Sequence, residues 1–210
     1  TPGFPGIAVR RIDYQPRSPA AEKPFTRLEG PALGLDKPNR FSVQDFWGPF
    51  FHGYGLAAGD VNNDGWADVV SGSEAGVLLY INREGKSFDS NEIDVPAARD
   101  LNVLVVALVN LNNDGWLDIY FATYRKGNYT ILSDHGRFTG KNFAEAANKG
   151  AVLAHAVAFG DIDRDGDLDA ILGNWFFGIP KEIPPVQSQN KVQFNEKGLF
   201  REEKLDGVTG

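Results

Sequence analysis

The chain has 210 residues, of which 42% are hydrophobic and 23% charged, and this is the balance of a folded protein and not of a disordered one. A formal net charge of −7 excludes the basic surface of a typical nucleic-acid-binding domain, so no nucleic-acid partner is predicted. Cysteine is absent, which excludes disulfides and thiolate metal sites, and no apolar run reaches the roughly 18 residues that a membrane span needs. Frequent Gly, Pro and aromatic residues favour an all-β fold with short strands separated by turns.

Two regions differ in composition. Residues 1–24 contain five prolines and show no hydrophobic periodicity, which predicts an extended arm or linker. Residues 25–210 carry a repeating pattern and are predicted to form the folded region.

One nine-residue pattern occurs three times in this region, at 60–68, 110–118 and 161–169, with starts that are 50 and 51 residues apart. Each copy lies between two apolar runs, which predicts a loop that joins two buried strands. A turn containing Gly and then Phe follows each loop, at Asn82–Phe88, Asp134–Phe138 and Asn195–Phe200. A unit of about 50 residues therefore contains about four strands, which matches a β-propeller blade, with three to four blades present.

The nine-residue pattern has the chemistry of a calcium loop. Positions 1, 3, 5 and 9 carry side-chain oxygens and position 6 is Gly, as a hard cation that needs several oxygens and a sharp turn requires. Position 7 would contribute its backbone carbonyl. Up to three Ca²⁺ ions are predicted. The candidate ligands are Asp60, Asn62, Asp64, Trp66 and Asp68, then Asn110, Asn112, Asp114, Trp116 and Asp118, then Asp161, Asp163, Asp165, Asp167 and Asp169.

An EF-hand is excluded because that motif needs a Glu at position 12 and flanking helices. Position 12 is Ser71, Phe121 and Leu172 here, within strand-like apolar runs. The Asp at position 9 must therefore close the site.

The three loops differ in charge. The third has carboxylates at positions 1, 3, 5 and 9, the first has three, and the second has two. Because more carboxylates attract a cation more strongly, the predicted order of affinity is third, first, second. Three bound calcium ions would bring the formal charge from −7 to −1.

With Phe159-Gly160 directly before the third loop and an Asn-x-x-Gly-x-Phe turn after it, the pattern resembles FG-GAP/VCBS-type repeats, the calcium-binding blades of integrin-α-like β-propellers. Asn110 replaces the usual first Asp, and no Gly-Ala-Pro element is visible. The resemblance covers roughly residues 25–210. It implies an extracellular, cell-surface or periplasmic location and a role in adhesion, in ligand binding or as an accessory module.

The spacing of the repeats bears on closure of the propeller. The interval from each turn Phe to the next loop predicts a fourth loop near position 222 or 223, beyond Gly210. Because three and a half units do not close a ring comfortably, we expect either further blades in a longer precursor or copies of the chain that complete one another.

The leading functional hypothesis is a non-enzymatic, secreted or surface-exposed calcium module that binds a protein or carbohydrate at its surface loops. No nucleophile elbow, P-loop or dinucleotide fingerprint occurs. One alternative is the propeller portion of a carbohydrate-active enzyme, a lyase or hydrolase with its catalytic residues elsewhere. Another is a filament or lattice subunit that assembles through open blade edges. The aromatic residues at Trp47 and 175–177 fit either packing between blades or an exposed binding surface.

Overall fold

The computed structural model describes residues 27–35, 54–93, 95–124, 126–146, 154–174 and 190–202. The arm at 1–24 and the aromatic residues at Trp47 and 175–177 lie outside the described residues, so the division into arm and propeller stays a prediction. No α-helix occurs in the described ranges, and none of their helical turns is long and apolar enough to cross a membrane. The all-β prediction is confirmed.

Twelve strands form three antiparallel sheets of four strands, and neighbours in each sheet follow chain order. The first sheet contains β1 (Leu56–Gly59), β2 (Asp68–Ser73), β3 (Gly76–Arg83) and β4 (Ser87–Glu92); the second contains β5 (Val103–Val109), β6 (Asp118–Thr123), β7 (Asn128–Ile131) and β8 (Phe143–Glu145); the third contains β9 (Ala154–Gly160), β10 (Asp169–Asn174), β11 (Lys191–Glu196) and β12 (Leu199–Glu202). Short 3-10 turns lie at Gly30–Leu33, Pro96–Ala98 and Gly140–Asn142. Each sheet is therefore one four-stranded blade, as the repeat length predicts.

The repeated loop joins the first two strands of every blade. Residues 60–67 connect β1 to β2, residues 110–117 connect β5 to β6, and residues 161–168 connect β9 to β10. The first strands β1 and β5 lie side by side, as do β5 and β9. Gly59 at the end of β1 lies against Leu117 of the second loop, and Asn113 of the second loop donates to the carbonyl of Gly166 in the third, so the three loops are at the same end of adjacent sheets.

The turn after the third strand of each blade has two consecutive residues with positive φ, as a type I′ turn requires. These pairs are Glu84-Gly85 (55° and 74°), His135-Gly136 (52° and 84°) and Lys197-Gly198 (51° and 90°). Glycine at the second position removes the steric cost of a Cβ atom. The Phe residues that follow return toward the core: Phe138 is buried, while Phe88 and Phe200 are half-buried.

The contact between the first and second sheets is apolar. Side chains of β2 and β3 meet side chains of β6 and β7 in one continuous cluster. The ring of Phe121, which belongs to this cluster, stacks on Tyr129, and Tyr129 stacks on Phe143 with ring centroids 5.1 Å apart. Burial of apolar surface is the main interaction that joins these two blades.

The contact between the second and third sheets includes buried hydrogen bonds. The Tyr120 hydroxyl donates to Gln193 Oε1 at 2.8 Å, and Gln193 Nε2 donates to the carbonyl of Ala146 at 2.9 Å. Tyr120 also contacts the rings of Phe159 and Phe200 edge-on. Burial raises the pKa of the Tyr120 hydroxyl well above its ordinary value, so the group is a neutral donor.

The far side of the third sheet exposes apolar side chains. Ile162 is 41% exposed and Ile171 is 43% exposed. At the matching places in the first two blades, the side chains are fully buried against the next sheet. These buried counterparts are Val61 and Val70 in the first blade and Leu111 and Tyr120 in the second. The described sheets thus form an open arc. The exposed face at its end is apolar, like the faces that pack against one another between its blades.

Two neighbouring residues of β10 test this packing. Leu172 is fully buried against the second sheet, whereas Ile171 points to the opposite, exposed face. Leu172→Ala should lower the free energy of unfolding by about 2–5 kcal/mol, because it leaves a cavity. Ile171→Ala should cost less than about 1 kcal/mol, since its side chain is already hydrated. Urea denaturation compares them, and equal losses would contradict the exposed face.

Candidate metal centres

Two successive side-chain turns bend each loop in the same way. The side-chain oxygen at position 3 accepts the N–H of position 5, at 3.1 Å in the first loop and 3.2 Å in the second and third. The carboxylate at position 5 accepts the N–H of position 7 at 2.9 Å in all three loops. These bonds curl the backbone of each loop between positions 3 and 7.

The backbone is left-handed at positions 4 and 6 of every copy. Position 6 is Gly65, Gly115 or Gly166, with φ between 88° and 96°. Position 4 is Asn63 or Asn113 in the first two loops, and asparagine tolerates this conformation. The third loop has Arg164 there, with φ 66°. A loop with two such positions makes a sharp bend within nine residues.

The Asp at position 9 is fully buried and joins its loop to the outer part of the blade. One carboxylate oxygen accepts the N–H of position 2, and the other accepts an N–H at the end of the third strand. The same pair of bonds occurs three times: Asp68 with Val61 at 3.0 Å and Asn82 at 2.8 Å, Asp118 with Leu111 at 2.7 Å and Ser133 at 2.7 Å, and Asp169 with Ile162 at 2.8 Å and Asn195 at 2.9 Å. We call this arrangement the carboxylate clamp.

Burial raises the pKa of the clamp carboxylates in the first two loops. The pKa of Asp118 rises to about 6, mainly through desolvation, while its bonds from Ser133 and Leu111 act in the opposite direction. Desolvation likewise raises the pKa of Asp68 above its ordinary value. Two N–H donors therefore only partly replace the lost hydration, and a nearby cation would favour the ionised form.

Position 7 makes a second contact between each loop and the type I′ turn of its own blade. A Cβ atom on Gly85 would lie 3.1 Å from the Trp66 ring, so the indole covers this turn. Trp116 contacts the His135 ring at 5.4 Å between centroids, and Asp167 accepts the N–H of Lys197 at 2.9 Å. The side chain at position 7 varies, but it contacts the turn in every copy.

The third loop brings three carboxylates together. Ligand oxygens of Asp161, Asp163 and Asp169 all lie within 4.8 Å of one another. Two oxygens on opposite sides of a calcium ion, each about 2.4 Å from it, are about 4.8 Å apart, so this cluster fits calcium. Loss of hydration and the charges of Asp165 and Asp169 raise the pKa of Asp163 above its ordinary value. These like charges would be stabilised by a divalent cation.

The first and second loops hold fewer charges and use amide groups instead. Asn62 Nδ2 donates to Asp64 Oδ2 at 2.9 Å, and Asn112 makes the same bond to Asp114. The carboxylate of Asp60 accepts the N–H groups of positions 5 and 6. The structure thus places all fifteen predicted residues in three equivalent loops, with a cluster of three carboxylates in the third.

Three residues that complete the clamp do not belong to the predicted ligand set: Asn82, Ser133 and Asn195. Each stands three positions before the Gly of the type I′ turn, and its side chain accepts that Gly N–H at 2.7–2.8 Å. The sequence pattern places the start of the second turn at Asp134, but its structural counterpart is Ser133. The constant interval to Gly136 is the signal that identifies it.

The sequence model of the FG-GAP-like repeat family matches residues 60–121 and 110–172. These segments contain all three loops and more than half of the chain. The chain belongs to this family of FG-GAP-like repeat proteins, and its three sheets are propeller blades of that type.

The chain is also similar to integrin alpha chains. It is 32% identical to integrin alpha-7 of Mus musculus over 100 residues, covering 42% of this chain and 8% of that protein. It is 24% identical to integrin alpha-6 of Gallus gallus over 173 residues, covering 73% of this chain and 16% of that protein. The chain thus corresponds to a small part of the length of these relatives.

The clamp should stabilise the blade even without metal. Asp169→Ala removes the acceptor of two N–H groups, and an unpaired buried donor costs about 1–3 kcal/mol. We expect that loss in urea denaturation with chelator present. Asp163→Asn, at an exposed position of the same loop, keeps a side-chain acceptor for the N–H of Asp165 and should not lower the metal-free stability. A metal-free stability unaffected by Asp169→Ala would contradict the clamp.

A pair of glycines tests the approach of the second blade's turn to the first loop. Gly136 and Gly115 both have positive φ, but a Cβ on Gly136 would lie 3.0 Å from the Val61 carbonyl, while one on Gly115 would meet nothing within 4 Å. Both alanine variants should lose about 1–2 kcal/mol of stability through backbone strain. Gly136→Ala should lose more, because the turn must move away from the loop. Equal losses in urea denaturation would show that this contact is absent in solution.

Proposed function

We propose that this chain is a calcium-binding β-propeller module that acts in adhesion or ligand binding outside the cell, with no active site of its own in these blades. The observation that carries the proposal is the repeated construction of the three loops. Each loop carries oxygen side chains at positions 1, 3, 5 and 9 of one tight bend, and in the third loop the carboxylates of Asp161, Asp163 and Asp169 lie at a spacing that suits calcium.

The ion would be held by the side chains of positions 1, 3, 5 and 9 and by the position-7 carbonyl. When bound, calcium supplies positive charge that offsets the repulsion between the carboxylates. The chain's own groups hold the loop in shape: the side-chain turns place positions 3 and 5, and the clamp fixes position 9. The charge difference between loops supports an affinity order of third, first, second.

The relatives support the adhesion role and the location. Integrin alpha chains are cell-surface proteins, and the resemblance extends over most of this chain. This likeness supports a protein ligand at the surface loops. The exposed face of Ile162 and Ile171 supports further blades beside the third sheet, from the same precursor or from a second copy.

Calcium titration tests the proposal. Isothermal titration calorimetry on the full chain should give up to three calcium ions bound, and calcium at about 100 times the Kd should stabilise by about 2.7 kcal/mol per site. The double variant Asp161→Asn/Asp163→Asn should lose the tightest site, since it removes two charges from the third loop. The unfolding midpoint should fall on addition of chelator to the wild-type protein.

The control is the double variant Glu84→Gln/Asp89→Asn. It removes two charges from exposed positions outside the loops, where the residues pair with Lys86 and Arg83. Its calcium stoichiometry should equal that of the wild type. An unchanged unfolding midpoint in calcium and chelator, with no heat of binding, would refute the calcium function.

A further inference from the structure

Asn195 is the one clamp residue of the described blades that reaches two loops. It is 1% exposed. Its backbone N–H donates to Asp169 at 2.9 Å, and its Nδ2 donates to the carbonyl of Leu168 at 3.1 Å, so both bonds hold the third loop. The same Nδ2 also donates to the carbonyl of Leu111 at 2.7 Å, in the second loop.

The orientation of this amide follows from its neighbours. Oδ1 accepts the N–H of Gly198 at 2.7 Å, while Nδ2 faces the two carbonyls. A flipped amide would place its oxygen against both carbonyls and its NH₂ group against an N–H, leaving buried groups unpaired. The hydrogen-bonding groups of Asn195 are thus fully used in the observed orientation.

These bonds form a continuous connection between two candidate metal loops. Asp118 of the second loop accepts the N–H of Leu111, and the carbonyl of Leu111 accepts Nδ2 of Asn195. The backbone N–H of Asn195 in turn donates to Asp169 of the third loop. A path of hydrogen bonds therefore runs from one clamp carboxylate to the other.

The joint between the first and second blades is built differently. The counterpart of Asn195 in the second blade is Ser133, whose hydroxyl accepts the N–H of Gly136. Within the described part of the chain, no hydrogen bond joins this side chain to Val61, the counterpart of Leu111. The counterpart in the first blade, Asn82, donates to the carbonyl of Ala67 in its own loop.

We propose that Asn195 is a positioning residue shared by the second and third loops, so that cation binding at these two loops is coupled through its side chain. This inference rests on the proposed calcium function. A cation that orders the third loop fixes Asp169 and Asn195, and through Leu111 it favours the binding geometry of the second loop. Coupling between sites is reciprocal, so binding at the second loop favours the third equally.

Asn195→Ser is the direct test, because serine is the residue that the second blade carries at this place. The variant is neutral, so it changes no Coulomb attraction for calcium. NMR signals of the position-6 glycine amides report the loops separately: Gly65 for the first, Gly115 for the second and Gly166 for the third. We expect calcium midpoints for Gly115 and Gly166 to rise about fivefold, the lower range of such couplings, and that of Gly65 to stay unchanged.

Two further variants serve as controls for Asn195→Ser. Asn82→Ser is the same substitution in the first blade and should weaken only the site reported by Gly65. Asn113→Gly removes the surface contact between the second and third loops, where Asn113 Nδ2 donates to Gly166 and Asp167, and it keeps the left-handed backbone. It should leave the coupling in place.

The wild-type protein supplies a measurement that does not depend on the variant folding. The backbone N–H signal of Leu111 should shift together with that of Gly166 as the third loop fills. A Leu111 signal that follows only Gly115, or an unchanged Gly115 midpoint in Asn195→Ser, would overturn the coupling while leaving calcium binding intact. Loss of coupling in Asn113→Gly alone would overturn the role of Asn195. If no glycine signal responds to calcium, the proposed function itself fails.

Discussion

Each blade depends on a buried carboxylate that accepts two backbone N–H groups from distant parts of the chain. One donor lies seven residues before the Asp, in the same loop, while the other lies 14, 15 or 26 residues after it, at the end of the third strand. Because an unpaired buried donor is costly, this clamp fixes the loop relative to the outer hairpin. The geometry of the candidate metal loop is therefore part of the fold of the blade.

The two joints between blades use different interactions. The first is a continuous apolar cluster, together with a backbone hydrogen bond from the N–H of Gly55 to the carbonyl of Leu104 at 2.7 Å. The second adds Gln193 and Asn195, two buried amides whose bonds cross from the third sheet to the second. Buried amides require particular partners, so they fix the relative position of these blades more strictly than apolar contacts do. A repeat sequence has thus produced unequal joints through a few side chains.

The strand-loop-strand units and the positions of the three loops could be predicted because these features are local: oxygen side chains, Gly65 and its counterparts, and flanking apolar runs all lie within a short window. The clamp partners could not be predicted, because they are distant in sequence. Asn195 bonds to Asp169 from 26 positions away and to Leu111 across a sheet boundary. Ser133 also differs in type from Asn82 and Asn195, so spacing alone identifies it. The role of Trp66 and Trp116 in covering the turns likewise depends on tertiary structure.

Amide hydrogen exchange measured in chelator and in calcium tests the clamp most directly. The six N–H groups that it uses belong to Val61, Leu111 and Ile162 on the loop side and to Asn82, Ser133 and Asn195 on the strand side. We expect slow exchange at all six amides in chelator, because the chain alone forms these bonds, and slower exchange in calcium. Rapid exchange of the loop-side amides in chelator would contradict it, since the loops would then take shape only around the ion.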